Sequence, residues 1–253
     1  MNRALSDSYI MFKRCLIKTL RSPEAVLTAL FVPVIMMILF GYVFGSVASI
    51  EGGNYIDFIV PGIIVQCICN ASISTSLNVH NDMTTGIIDR FRSMQIAKSA
   101  FISGHVWMSV LRNIIITTVT FGAAYAIGFR PTASLKEWGV IAGILILFII
   151  AITWFAVVIG LIAKNDESIS GAIFLLTIFV FLSSAFAPID SLPTILKALA
   201  KHQPMTLVIE ALRGLMMDTP LDNEIMIAFA WCVGITVVCF LLAVRIYKSK
   251  LTK

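Results

Sequence analysis

The sequence predicts an all-α, polytopic membrane protein, on three observations. Of its 253 residues, 58% are hydrophobic and only 13% charged, far too apolar a balance for one soluble core. The apolar residues gather into six runs, each long enough to cross roughly 30 Å of hydrocarbon as a helix. The charges lie between those runs, and their sign is biased to one side. The expected architecture is one transmembrane domain over 1–253. It comprises an amphipathic interfacial helix (1–22), a six-span bundle (25–244) and a basic cytoplasmic tail (245–253).

The first segment places Leu5, Tyr9, Phe12, Leu16 and Leu20 at helical spacing, with Arg14, Lys18 and Arg21 on another face. That is the pattern of a helix lying in the membrane interface. Ser22 and Pro23 interrupt it, and the first span follows over about 25–44, with Pro33 as a possible kink. The second span, about 58–79, is unusually polar: Gln66, Asn70, Ser72, Ser74, Thr75, Ser76 and Asn78 all fall inside it. Amides in hydrocarbon must find partners or water, so this face either borders a translocation route or binds helix to helix.

Residues 81–100, NDMTTGIIDRFRSMQIAKSA, form a charged island after that span. Asp82, Asp89, Arg90 and Arg92 are interleaved with Ile87, Ile88, Phe91 and Met94, which gives a short helix one charged and one apolar face, a surface for grasping a partner. The third apolar segment, about 101–128, contains Arg112 and Asn113. If the crossing begins near Met108, Arg112 snorkels to the near side; the alternative is a pore-facing or ion-paired guanidinium.

Trp138 anchors the start of the fourth span at the interface, and that span runs to about Ala163. The turn over 164–167 is very short, which predicts a tight hairpin with a fifth span over about 169–187. From 188 to 224 the chain is polar but patterned. Ser191 can cap a short helix that admits Pro193 in its first turn. Leu207, Val208, Ala211, Leu212 and Leu215 make an apolar stripe beside Glu210 and Arg213, predicting two short helices at the outer interface. The sixth span, about 225–244, precedes a tail bearing Arg245, Lys248, Lys250 and Lys253.

Six spans put both termini on one side. With the termini inside, 13 Lys and Arg fall on the cytoplasmic side and 5 outside, Arg112 being set aside within a span. Positive charge favours the cytoplasm, so the charged island is cytoplasmic and the paired short helices are extracellular. Spread over a soluble surface, the net charge of +5 would suggest nucleic acid or anionic lipid; in a membrane protein its meaning lies in which side of the bilayer carries it, and the expected partner is membrane lipid, not nucleic acid. The N-terminal segment has no small-residue cleavage site after a short apolar run, so no removable signal peptide is expected.

Several chemistries are missing from the sequence. No G-x-x-x-x-G-K-[ST] run is present to cradle ATP phosphates. His80, His105 and His202 have no partner at metal-ligand spacing, and no serine occupies a nucleophile elbow. Cys15, Cys67, Cys69, Cys232 and Cys239 have neither redox nor metal spacing and are read as small apolar residues. An intramembrane lipid-modifying enzyme would have to use Glu210, Arg213 and His202, with no visible nucleophile. A passive channel would need a ring of like charges along a span, and none is present.

The run GIIDRFRSMQIAKSAFISGHVWMSVLR (86–112) resembles the cytoplasmic segment of type-2 ABC exporter permeases, above all the daunorubicin/doxorubicin-resistance-like branch. Gly86, Asp89, Arg90, Phe91, Arg92 and Ser93 match its core and Arg112 its downstream arginine, while Gln95 stands where proline is usual. SSAFAPIDSLP (183–193) and QPMTLVIEALRGLM (203–216) resemble the family's outer region, with Gln203 in place of a common asparagine. The resemblance implies a transport subunit rather than an enzyme. It would be half of an exporter pathway, paired with a second permease copy or a related permease and driven by separate ABC ATP-binding subunits that carry ATP and Mg, with no cofactor on this chain. It implies a coupling helix between spans 2 and 3 that grips the ATP-binding subunit through Gly86, Ile87, Asp89, Arg90, Phe91, Arg92 and Met94. Cargo in this family ranges over amphipathic drugs, antibiotics, lipids and lipid-linked glycans. A substrate pathway between dimer halves would use Phe40, Phe44, Gln66, Asn70, Phe174 and Phe181, which offer aromatic and amide contacts.

Overall fold

The computed structural model describes residues 2–21, 23–44, 55–85, 98–189, 193–220 and 223–251. Among these residues the regular structure is helical throughout: α1 (Asn2–Leu20), α2 (Pro23–Ile38) continued by a π-helical turn (Leu39–Phe44), α3 (Tyr55–Ala71), α4 (Ile73–Thr84), α5 (Lys98–Ile127), α6 (Leu135–Ile162), α7 (Asp166–Phe181), α8 (Thr194–His202), α9 (Pro204–Met217) and α10 (Glu224–Leu251). Among the described residues, four helical stretches are long and apolar enough to cross a membrane: Tyr55–Thr84, Ala100–Ile127, Leu135–Ile162 and Glu224–Lys250. The first predicted span is covered by α2 and its π-helical continuation, residues 23–44, whereas α7, at 16 residues, rises only about 24 Å.

Local chemistry sets the ends. At α6 a capping box closes both ways: Ser134 N–H donates to Glu137 Oε2 at 2.5 Å and Glu137 N–H to Ser134 Oγ at 3.4 Å. Asn165 Oδ1 accepts from Ser168 N–H at 2.9 Å and caps α7. Helix α7 ends at Phe181 rather than near Ala187, because Ser183 competes for its last backbone groups. Ser183 Oγ donates to Val180 O at 2.5 Å and then accepts from Ala185 N–H at 3.2 Å. Pro204 sits in the first turn of α9, where no N–H partner is required, and Asp218 takes the left-handed conformation that closes the other end. Ser191 lies outside the described residues.

Helix α6 is the central post. It packs along α10 on one side and α4 on another, and also meets α5 and α9. The core collects Ile59, Ile63, Ile64 and Ile68 of α3, Ile141, Phe148 and Ile149 of α6, and Val208, Ile209 and Leu212 of α9, all buried. Helix α9 is therefore part of the bundle rather than a surface helix, with Val208, Ala211, Leu212 and Leu215 of its predicted stripe buried. The expected hairpin of α6 and α7 has a short turn, but beyond it α7 leans on α3 and α4, because α10 already covers much of α6.

The interfacial helix docks by an unexpected face. Leu5, Tyr9 and Leu20 of its apolar stripe are exposed, while Met11 and Cys15 are buried against α5. The stripe is thus left exposed, and Met11 and Cys15 face the protein. Gly104 permits the close crossing: a Cβ there would lie 2.6 Å from Met11 Cβ and 3.0 Å from the Met11 carbonyl carbon. Gly104→Val should therefore displace α1 and lower stability by about 1–3 kcal/mol. Gly122→Ala on the same helix, with nothing within 4 Å of its added carbon, should leave stability unchanged or raise it. Thermal unfolding of the detergent-solubilised chain separates the two outcomes.

Candidate functional site

The predicted coupling residues Gly86, Ile87, Asp89, Arg90, Phe91, Arg92 and Met94 lie outside the described residues. Both flanks of that segment are described, and one carboxylate joins them. Asp82, in the last turn of α4, is 2% exposed. Arg14 of α1 donates to it from both guanidinium nitrogens, Nη1 to Oδ2 at 2.7 Å and Nη2 to Oδ1 at 3.0 Å. His105 Nε2 of α5 lies 3.1 Å from the same Oδ2, and Lys18 Nζ lies 3.7 Å from Oδ1. Behind the ring, Cys15 Sγ is 3.7 Å from His105 Nδ1.

Three elements thus meet at one anion, and the bidentate fork fixes their angles as a point charge could not. The hydrogen bond to Asp82 holds the Arg14 guanidinium above its ordinary pKa, against the opposing effect of burial. Asp82 is therefore an internal tie, not one of the charges offered to a partner. A carboxylate directly after a long run free of acidic residues, 58–81, could have signalled this, because a group at such a helix end must be paired.

The polar second span divides by role. It breaks at Ser72 between α3 and α4, where Ser72 Oγ donates to Ile68 O at 2.9 Å. Its inner part binds helix to helix: Thr75 Oγ1 donates to Ser109 Oγ at 2.8 Å, Ser109 Oγ lies 3.0 Å from Thr153 Oγ1, and Ser76 Oγ donates to Ala156 O at 2.8 Å. These hydroxyls stitch α4 to α5 and α6. Arg112 Nη1 donates to Ala71 O at 3.4 Å, so the guanidinium caps a carbonyl at the break instead of reaching solvent freely.

The predicted pathway residues are only partly brought together. Phe40 packs on Phe186 with centroids 4.7 Å apart, and Phe181 stacks on the other side of Phe186 at 4.9 Å. Asn70 Oδ1 accepts from Thr177 Oγ1 of α7 at 3.4 Å. Phe174 shares that face of α7 and is 64% exposed. Gln66 is separate: it is buried, and its Oε1 has no hydrogen-bond partner. The side chain of Phe44 lies outside the described residues. Phe186, which joins the two predicted aromatics, was missed as a site residue although it lies within SSAFAPIDSLP.

A second tie closes the opposite end of the bundle. Arg213 of α9 donates to Phe58 O through Nε at 3.2 Å and Nη2 at 3.0 Å, and through Nη2 to Ser184 O at 2.5 Å. Its guanidinium carbon lies 3.8 Å from the centre of the Phe58 ring. Burial pulls the Arg213 pKa down to about 10, with Glu210 pulling it back, so the group remains a cation at neutral pH. This arginine is spent on backbone carbonyls, and His202 is exposed with Nδ1 3.0 Å from Ala198 O. The two do not form a catalytic pair.

Residues 7–217 match the family described as ABC-2 type transporter. The chain belongs to that family. It is 25% identical over 231 residues to the daunorubicin resistance ABC transporter permease protein DrrB1 of Streptomyces coeruleorubidus, covering 90% of this chain and 81% of the relative. A permease named for doxorubicin resistance in Mycobacterium tuberculosis is 22% identical over 238 residues, covering 93% and 86%. The inner membrane transport permease YadH of Escherichia coli is 25% identical over 240 residues, covering 92% and 90%. The chain is accordingly a multi-pass ABC-2 permease, a transport subunit rather than an enzyme.

In this ABC-2 chain, Asp82→Asn should leave Arg14 and His105 facing a neutral amide and lower stability by about 3 kcal/mol. Lys18→Ala removes a longer and half-exposed contact and should change stability by less than about 1 kcal/mol. Unfolding midpoints in detergent test the ranking.

Proposed function

We propose that the chain is half of the transmembrane pathway of an ABC exporter, moving an amphipathic or hydrophobic compound of drug, antibiotic or lipid-like character out of the cytoplasm or inner leaflet. Two such chains, or this chain and a related permease, work with separate ATP-binding subunits that carry ATP and Mg. In this reading the chain crosses the membrane six times, α2 and α7 supplying the first and fifth spans, with both termini cytoplasmic. The observation that carries the reading is the joint at Asp82. It ties α4, α5 and α1 at the edge of the segment that resembles a coupling helix. A push on residues 86–97 from a nucleotide-binding partner is then delivered to three helices at once.

For the push to do work, the nucleotide-bound partner must prefer one arrangement of the spans over another, since a ligand shifts an equilibrium only by its differential affinity. Ile87, Phe91 and Met94 would fill apolar pockets of that partner, and Asp89, Arg90 and Arg92 would pair with its charges. The cargo would pass between dimer halves, along the surface where Phe40, Phe181 and Phe174 lie beside Asn70. Relatives named for daunorubicin and doxorubicin resistance support a planar, amphipathic cargo of this kind. The exposed apolar faces of α2, through Phe31 and Ile35, and of α7, through Phe174 and Ile178, would meet the second copy.

Two measurements check this reading. Phe91→Ala should abolish export while the chain still inserts and binds its ATPase partner; export at the wild-type rate with normal ATPase stimulation overturns the lever assignment. All five native cysteines are buried, so Phe174→Cys introduces a singly reactive thiol. It should form a cross-linked dimer in membranes with a short bifunctional maleimide, whereas Leu242→Cys on α10 should remain monomeric.

A further inference from the structure

Where α1 meets α4 and α5, the three helices leave a small cavity beside the Asp82 joint. Lining it are Cys15 and Lys18 of α1, Thr75 and Asn78 of α4, and His105 and Arg112 of α5. Two of these side chains are cations, and among the described lining residues none is a carboxylate. Asp82 adjoins the cavity through His105 and Lys18, but its oxygens are already engaged by Arg14, His105 and Lys18.

Arg112 is the group whose demand the protein leaves open. A guanidinium carries five N–H donors and keeps its charge at any ordinary pH. Among the described residues Arg112 makes one side-chain hydrogen bond, from Nη1 to Ala71 O at 3.4 Å, near the long limit for such a contact. Its Nε is buried without a partner, and Nη2, also without one, reaches accessible space. The described ion pairs of this region all run to Asp82, and Arg112 is in none of them. The Asn78 side-chain amide, half-buried on the same cavity, likewise makes no hydrogen bond to a described residue. Cations on membrane helices are found paired, because an uncompensated charge there is costly. Here the chain brings a cation and free donors to one cavity and supplies no anion.

Size says which anion fits. The cavity has a volume of about 10 Å³, room for one water-sized particle. Phosphate, sulfate and carboxylates are too large for it. A water molecule would accept a bond from Arg112 and leave its charge unmatched. We propose that the cavity holds a single-atom monovalent anion, chloride under cellular conditions, which accepts hydrogen bonds from Arg112 and the Asn78 amide beside the Lys18 ammonium. The Lys18 side chain is 46% exposed and flexible, so it provides both the entry and the small extra width that chloride needs over water. Because the same guanidinium touches Ala71 O, the ion ties α1 to the break between α3 and α4. Neither cargo nor ATP enters this assignment, so its failure leaves the transport reading standing.

The test uses the full chain in detergent, in a halide-free sodium gluconate buffer, titrated with sodium chloride at constant ionic strength. Gluconate is too large for the cavity. Excess chloride-35 NMR linewidth reads the bound ion directly: wild type should broaden the signal saturably, bromide should reverse the broadening by competition, and inorganic phosphate should not. Chloride should also raise the thermal midpoint by about 3 °C, since a ligand of the folded state alone stabilises it. Arg112→Gln should abolish both effects. Lys18→Ala, which the joint at Asp82 tolerates, should fold and weaken chloride about three- to tenfold, the effect of one charged contact. Lys13→Ala removes the same charge from an exposed position of α1 outside the cavity and should stay within about twofold of wild type. No saturable broadening by wild type would mean that the cavity holds water and would overturn the assignment. Equal chloride affinity of wild type and Lys18→Ala, or competition by phosphate as strong as by bromide, would overturn it as well.

Discussion

The carboxylate of Asp82 is the constraint on which the inner half of the molecule depends. An anion almost fully removed from water is tolerable only when its lone pairs are claimed, and here Arg14, His105 and Lys18 claim them from two different elements. The amphipathic helix α1 has little apolar surface turned inward: among its described side chains, Met11 and Cys15 are the buried hydrophobics. Its position therefore rests on the ionic fork and the close approach at Gly104 more than on burial. That leaves the stripe of Leu5, Tyr9 and Leu20 exposed on the far face of the helix.

The opposite end of the bundle uses the same logic with the signs reversed. There a cation, Arg213, is satisfied by carbonyl oxygens of Phe58 and Ser184 and by the face of the Phe58 ring. Between the two ties the bundle is held by hydroxyl chains such as Thr75, Ser109 and Thr153 and by the isoleucine-rich packing of α3 and α6. In a medium where apolar burial between helices gains little over lipid, such polar links carry much of the specificity of packing.

Hydropathy and charge bias made the helical class and the polytopic pattern legible, because both follow from the one rule that backbone polar groups in hydrocarbon must be satisfied internally. The caps at Ser134 and Asn165 follow from local chemistry alone. What escaped the sequence reading depends on distant pairs. Asp82 looked like a surface charge until Arg14, 68 residues away, was seen to grip it. The stop of α7 at Phe181 is set by the Ser183 hydroxyl, and an arginine on another helix takes the Ser184 carbonyl, neither visible to an apolar count. Helix α9 carries a plain amphipathic stripe, yet no periodicity states whether that stripe faces a membrane surface or the centre of a bundle.

The break at Ser72 divides one long membrane helix into two arms of unequal length, α3 with 17 residues and α4 with 12. The inner arm is about 18 Å long. The two arms are held by different neighbours: α3 by its isoleucines packed against α6 and by Arg213 on Phe58 O, α4 by the hydroxyls of Thr75 and Ser76 on α5 and α6 and by the ion pair at Asp82. One residue added or removed at Ser72 would turn one set of contacts by about 100° against the other, so this serine, its hydroxyl bonded back to Ile68 O, keeps the two sets in register.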